Sequence, residues 1–235
     1  MTTLLLLGTL LVQTAAPEPP RIRSHTLTVA EVGAVTYGIA SPGDNAAARP
    51  RPLILALHPG GERMHGYGSR FMQQIVLPAL GDLDAVVVAP DCPAQAKSWG
   101  DPAADRAVLA ILEKVRSEYK IDSRRVLVVG FSMGGRGAWF MSSQHPDLFT
   151  GAIVMAGSTR ELVQNSLGQV PTYVIHSRDD QVVPIGPAEE NAKQLTALGR
   201  TIRFEALSGP GHYSMGGYVE PLRRAVRWMA ERWAK

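Results

Sequence analysis

Ser132 stands in the run Gly130-Phe131-Ser132-Met133-Gly134, directly after the apolar stretch Arg125-Val126-Leu127-Val128-Val129. A strand that turns through G-x-S-x-G into a helix holds a serine hydroxyl clear of the sheet on a sharp, strained turn. The glycines act sterically, since without Cβ atoms they let strand and helix close to contact distance. A lone serine hydroxyl is a weak nucleophile at neutral pH. It needs a histidine to take its proton and a carboxylate to fix the imidazole tautomer and stabilise the imidazolium that forms. Met133, the residue after the nucleophile, is placed to offer its backbone N–H to a developing oxyanion.

This turn goes with a chain order of serine, then acid, then histidine. Of six histidines, only His145, His176 and His212 follow Ser132. His145 ends a helix-like stretch ahead of Pro146, where the helix dipole favours a histidine. His176 precedes the candidate acids and so falls in the wrong order. His212 stands in Ser208-Gly209-Pro210-Gly211-His212-Tyr213, a Gly/Pro loop after the strand-like stretch 201–207, and is the candidate base. The candidate acid lies in His176-Ser177-Arg178-Asp179-Asp180-Gln181-Val182-Val183-Pro184, just past the strand-like stretch 171–175. The chemistry of adjacent carboxylates does not choose between Asp179 and Asp180. A second oxyanion donor belongs on a loop after an early strand, and 52–57 runs into His58-Pro59-Gly60-Gly61-Glu62-Arg63.

The elements that must position these groups alternate along the chain. Strand-like runs at 86–89, 126–129, 152–155, 173–175 and 202–207 are interleaved with helix-like runs at 104–119, 135–144, 188–198 and 218–233. Such alternation predicts a mostly parallel, twisted sheet covered by helices on both faces. The stretch 24–41 alternates as an antiparallel hairpin would, with Gly33 at its turn, and 45–50 reads as a loop. A chain of 235 residues, 45% hydrophobic, suits one α/β domain with a sizeable core. So compact a domain leaves little sequence for a lid, which predicts a relatively open site.

Several stretches together resemble the α/β-hydrolase superfamily, in particular its small secreted esterases and predicted peptidases related to polyhydroxybutyrate depolymerase, feruloyl esterase and phospholipase/carboxylesterase proteins. They are 57–63, Val88-Ala89-Pro90-Asp91-Cys92-Pro93, Ser98-Trp99, 121–126, the Ser132 turn with Gly135, 145–149, the aspartate loop and Gly211-His212. The resemblance runs from about Arg51 to Trp233 and implies the α/β-hydrolase fold. The aspartate loop looks like that group's H-G-x-x-D-x-x-V-P signature, with Ser177 in place of glycine. Aligned on His176 and Val183-Pro184, the signature places the acid on Asp180 and leaves Asp179 as a loop or turn-capping residue. The 58–61 loop is similar to the group's H-G-x-G loop with Pro59 in place of the first glycine. That match implies Gly60 as the second oxyanion donor, Gly61 as the alternative, and His58 as a structural residue holding the loop. Trp99 and Tyr213, near the site loops, are candidates for the substrate pocket or for core packing.

The expected activity is therefore hydrolysis of a carboxylic ester, small or polymer-derived, through acylation of Ser132. A peptidase of the prolyl-oligopeptidase-like type is the alternative, and a non-catalytic binding protein on the same fold is a more distant one. The net charge of +3 comes from dispersed arginines, and Arg223, Arg224 and Arg227 recur at helical spacing opposite Leu222, Val226 and Met229. A solvated helix face accounts for them, so no nucleic-acid partner is expected. No zinc-spaced Cys/His cluster, H-E-x-x-H, P-loop or dinucleotide fingerprint is present, so neither metal nor cofactor is expected. Residues 4–12 form an apolar run too short to span a bilayer and are followed by Thr14-Ala15-Ala16. This predicts a secretory signal over residues 1–16, a catalytic domain over 17–235, and export to the periplasm or medium. Cys92 is the only cysteine and leaves no internal disulfide to form; a thiol buried beside the site loop is expected. The sequence leaves the oligomeric state open.

Overall fold

Successive residues of the central strands point to opposite faces, and here both faces are apolar. That is the pattern of a parallel sheet buried on both sides. The computed structural model describes residues 20–42, 49–159 and 167–234. Its sheet has eight strands: β1 Ile22–Val29, β2 Gly33–Ala40, β3 Arg51–Leu57, β4 Val86–Pro90, β5 Ile121–Phe131, β6 Gly151–Met155, β7 Thr172–Ser177 and β8 Ile202–Leu207. Their order is β1-β2-β4-β3-β5-β6-β7-β8. β1 and β2 form an antiparallel hairpin that joins β4 antiparallel, and every other pairing is parallel. The hairpin turn has positive φ at Glu31 (60°) and at Gly33 (89°), the glycine that closes it by pairing with Val29 as the first residue of β2. The loop expected at 45–50 falls mostly, and the signal segment 1–16 wholly, outside the described residues.

One face of the sheet presents Leu53, Leu55, Leu57, Val126, Val128 and Val154. Against it lie α3 (Pro102–Glu118), α4 (Met133–Gln144) and α5 (Gly186–Ala197), through residues such as Val108, Trp139 and Leu195. The other face presents Ile54, Ala56, Leu127, Val129 and Ile153 to α6 (Val219–Trp233), whose Leu222, Val226 and Met229 are buried. Arg223 and Arg224, on the outer side of α6, pair with Glu220 and Glu205.

This second face is also covered by a helical segment that no sequence pattern announces: α1 (Tyr67–Phe71), a π-turn at Met72–Val76, and α2 (Leu77–Ala79). Gly66, Gly68 and Pro78 hide it, since glycine and proline argue against a helix. Tertiary contacts set it instead. The Asp91 carboxylate, just past β4, accepts the Gly66 and Gly68 N–H groups at 2.7 and 2.8 Å. A Cβ on Gly68 would lie 2.5 Å from the Ala89 and Pro90 carbonyl oxygens, so only glycine allows this approach.

All six strands from β3 to β8 run parallel, so their C-terminal ends share one rim. In open α/β sheets this rim is where ligands bind. The loops after β3, β5, β7 and β8 carry Gly60, Ser132, Asp180 and His212 to it.

Candidate active site

Ser132 sits between β5 and α4 at φ 54° and ψ −113°, a backbone conformation rare for any residue but glycine. The surroundings impose it. Its N–H donates to the Met155 carbonyl at 2.8 Å, and its own carbonyl accepts the Arg136 N–H at 3.0 Å. Strain of this kind persists only where neighbouring structure over-determines it. The flanking glycines allow the closeness: a Cβ on Gly130 would lie 1.9 Å from the Gly134 carbonyl oxygen, and one on Gly134 would lie 1.9 Å from that of Leu57.

The Ser132 Oγ lies 2.9 Å from His212 Nε2, and His212 Nδ1 lies 2.7 Å from Asp180 Oδ2. A carboxylate oxygen only accepts, so Nδ1 carries the proton and Nε2 is left as the acceptor facing the serine hydroxyl. The Asp180 side chain is 0% exposed and that of His212 is 7% exposed. Burial pushes the Asp180 carboxyl upward. The hydrogen bond from His212 and those from the Val183 and Val182 N–H groups outweigh it, leaving the group below its ordinary value of 3.8. Those amides reach Oδ1 at 2.8 and 2.9 Å.

The histidine loop is tethered on both sides of this contact. Asp179 Oδ2 accepts the Gly209 N–H at 2.6 Å, and Gln181 Oε1 accepts the His212 N–H at 3.4 Å. Asp179, Asp180 and Gln181 thus each hold the 209–212 loop by a different atom. Beneath them His176 is fully buried. Its Nε2–H donates to the Val183 carbonyl at 2.8 Å, and burial pushes its pKa below the ordinary value. The Tyr218 ring stands edge-on to Phe131, whose own ring lies 5.3 Å from that of His212. Burial, and then the Asp180 charge, push the Tyr218 phenol up to about 12.

Gly60 comes alongside Met133, so that a Cβ on Gly60 would lie 3.4 Å from the Met133 Cβ. Next to Ser132 and Met133 opens a cavity of about 420 Å³, walled also by Trp99, Phe140, Thr159 and Val183. Trp99 both lines it and is buried in the core. Tyr213 does not line it: the residue is 84% exposed, and its ring stands edge-on to His212 at 5.6 Å. A second cavity, of about 140 Å³, shares Met133 and holds Gly60, Tyr67 and Cys92 in its wall. Burial pushes the half-buried Cys92 thiol up to about 11, which keeps it protonated at neutral pH. His145 pairs with Asp105 of α3 at 2.7 Å, away from the cluster. Among the described residues no group of three or more His, Cys, Asp or Glu side chains could hold a metal ion, and no helix is long and apolar enough to cross a membrane.

The structure brings Ser132, Asp180 and His212 together, and Gly60 and Met133 together beside them. Sequence reasoning missed Tyr67, Gln181 and Tyr218. Tyr218 opens the last helix-like run, and no local pattern marks a hydroxyl that accepts the N–H of Ser177, at the end of β7 and 41 residues away.

A model of the dienelactone hydrolase family matches residues 89–220, a span that holds Ser132, Asp180 and His212. NocK of Nocardia uniformis subsp. tsuyamanensis, assigned as an esterase, is 27% identical over 174 residues, which cover 68% of this chain and 49% of NocK. A crystal structure of a thermostable esterase is similar at a TM-score of 0.73 and 26% identity, covering 89% of this chain and 62% of the other. The substrate-bound FphF, a fluorophosphonate-binding serine hydrolase of Staphylococcus aureus, is similar at a TM-score of 0.73 with 13% identity, covering 90% and 98%. The chain thus spans about half the length of NocK and less than two thirds of the thermostable esterase. The sheet order and these likenesses give it the α/β-hydrolase fold.

Proposed function

The chain belongs to the dienelactone hydrolase family, and from that premise we propose that it is a serine carboxylesterase acting through an acyl-enzyme. The observation that carries this reading is the unbroken hydrogen-bond chain Ser132–His212–Asp180 ending on a strained turn beside a cavity.

In this reading Ser132 Oγ attacks the acyl carbon while its proton passes to His212 Nε2. The imidazolium stays paired with the Asp180 carboxylate. The former carbonyl oxygen, now negative, is met by the N–H groups of Met133 and Gly60. Preorganised donors of this kind are worth about 3–4 kcal/mol each. Collapse of the tetrahedral adduct breaks the bond to the alkoxide, which leaves as alcohol with the proton from His212. Water then attacks the acyl-Ser132, again with His212 as base, and the carboxylic acid departs. Trp99, Phe140 and Met133 give the larger cavity an apolar wall suited to a small or medium acyl group.

Ester over amide substrates is read from the family and from the esterases named above. The test is a panel of p-nitrophenyl esters from acetate to palmitate, run beside aryl cinnamates and peptide anilides. Turnover of short and medium esters with the anilides left intact supports the assignment, and the reverse overturns it. Residues 1–16 are proposed as an export signal, with 17–235 the catalytic domain. An intact mass of exported protein that retains Met1 would count against that.

A further inference from the structure

A turn closes at 211–214, where the Ser214 N–H donates to the Gly211 carbonyl at 3.0 Å and leaves His212 and Tyr213 as its two corner residues. Their side chains part there. That of His212 is 7% exposed and faces Ser132, while Tyr213 lies open to solvent beside it, its ring edge-on to the imidazole with 5.6 Å between centroids. An aromatic ring left in water forgoes favourable burial. One such residue calls for no explanation, but here they gather. Among the described residues four large apolar side chains are exposed, Met64, Val182, Leu198 and Tyr213. Three of the four stand on the loops that carry Gly60, Asp180 and His212.

The chemistry of the site assigns this surface to one half of an ester. When the tetrahedral adduct collapses, His212 Nε2 gives its proton to the departing alkoxide, so that oxygen must come within about 2.6–3.2 Å of Nε2. The larger cavity, which takes the acyl group in the reading above, has Ser132, Met133 and Val183 in its wall but not His212. The smaller one holds no residue of the histidine loop either. The alcohol half therefore leaves the cavity on the His212 side. Beside the imidazole it meets the Tyr213 ring, with Val182 on the adjoining acid loop, whose Gln181 accepts the His212 N–H.

We propose that Tyr213 is the specificity residue of an open alcohol subsite, where the alcohol half of the ester, aromatic by preference, lies against the exposed ring outside the cavity. The proposal rests on the serine-esterase reading and deepens it by naming the chemistry of the leaving group. Two consequences separate it from a role in holding His212. The acyl-enzyme has already lost the alcohol, so the subsite acts on acylation and not on attack by water. An aromatic alcohol that binds there can also replace water: its oxygen bonds to the acyl carbon, its proton passes to His212 Nε2 and then to Ser132 Oγ as that bond breaks, and a new ester departs.

The test compares native, Tyr213→Ala and Tyr213→Phe proteins on ethyl acetate and 2-phenylethyl acetate, which share one acyl group and whose alcohols differ little in acidity. kcat/KM is followed by titration of the acid released. Deacylation is read from turnover of p-nitrophenyl acetate after its burst, and the same reaction with added 2-phenylethanol gives the share of acetyl transferred to that alcohol. The native enzyme is expected to prefer the 2-phenylethyl ester by about tenfold in kcat/KM, Tyr213→Ala to lose most of that preference, and Tyr213→Phe to keep it, since the ring supplies the contact. The transferred share falls in Tyr213→Ala, while its deacylation by water stays within about twofold of native.

No preference in the native enzyme overturns the proposal, and so does a preference or a transferred share that survives in Tyr213→Ala. Loss of the preference in Tyr213→Phe makes the hydroxyl the contact and overturns the aromatic assignment. An equal loss on both esters and in deacylation overturns it too, because Tyr213 would then act by holding His212. Thermal melts accompany each variant, and Tyr213→Ser replaces the alanine variant should that one not fold. Ser132→Ala is assayed in parallel. Native hydrolysis by it removes the esterase reading itself, whereas an inactive Ser132→Ala beside an unchanged ester preference in Tyr213→Ala removes the subsite alone.

Discussion

Replacing Asp180 by asparagine changes one atom and reverses the hydrogen-bond logic of the site. Asp180 Oδ1 accepts two backbone N–H groups, from Val182 and Val183, while Oδ2 accepts His212 Nδ1–H. Asparagine has one accepting oxygen. Turned toward the backbone, it keeps both amide bonds and presents its NH₂ to His212 Nδ1. Turned the other way, it sets its NH₂ against two donors and leaves both amides unpaired in a buried site, each at a cost of about 1–3 kcal/mol. The first orientation is therefore favoured. It obliges Nδ1 to accept, which moves the imidazole proton to Nε2, facing Ser132 Oγ, where a proton acceptor is needed. Such a tautomer reversal lowers kcat by about 10⁴-fold, or about 5 kcal/mol of barrier. The assay is kcat on a p-nitrophenyl ester for native, Asp180→Asn and Asp179→Asn proteins, with thermal melts alongside. An inactive Asp179→Asn paired with a near-native Asp180→Asn would refute the reasoning and move the acid by one residue.

Other outcomes follow from the same contacts. Asp179→Asn keeps a carbonyl oxygen for the Gly209 N–H and is expected near native, whereas Asp179→Ala frees the histidine loop and should lower kcat by about tenfold at similar KM, read by steady-state kinetics. Gly134→Ala places a Cβ 1.9 Å from the Leu57 carbonyl oxygen, so β3 and α4 must separate; a melting temperature at least about 8 °C lower, or insoluble protein, is expected. Asp180 has its carboxyl below 3.8 in the folded protein, so its contribution to stability is full above that value and is lost as pH falls through the lowered value. Between about pH 5 and about pH 2 the native protein should therefore lose more melting temperature than Asp180→Asn, and parallel curves would count against a buried, hydrogen-bonded carboxylate at this position.

The central fold was legible because its signals are local. The apolar runs within β3 to β7 and the amphipathic runs at α3 and α6 are patterns local to each element, and the glycines around Ser132 mark a turn whose geometry leaves few other residues possible. The hydrogen bonds of Asp179 and Gln181 to the histidine loop were not legible, since they join residues about 30 apart and depend on β7 and β8 being neighbours. The α1–α2 segment escaped for the opposite reason: its local signals, Gly66, Gly68 and Pro78, argue against a helix, and the Asp91 carboxylate overrides them. Tyr213 shows the limit of sequence proximity. It adjoins His212, yet its ring points to solvent while Trp99, 33 residues before Ser132 in the chain, reaches the cavity.

Covalent labelling of the nucleophile tests the account most directly. The protein is treated with a fluorophosphonate, which adds to an activated serine with loss of fluoride, and is then mapped by intact mass and peptide sequencing. The account predicts one phosphonyl group, on the peptide bearing Ser132, with no label on Ser132→Ala and no ester hydrolysis by that variant. Label on another residue, or native hydrolysis by Ser132→Ala, would contradict it.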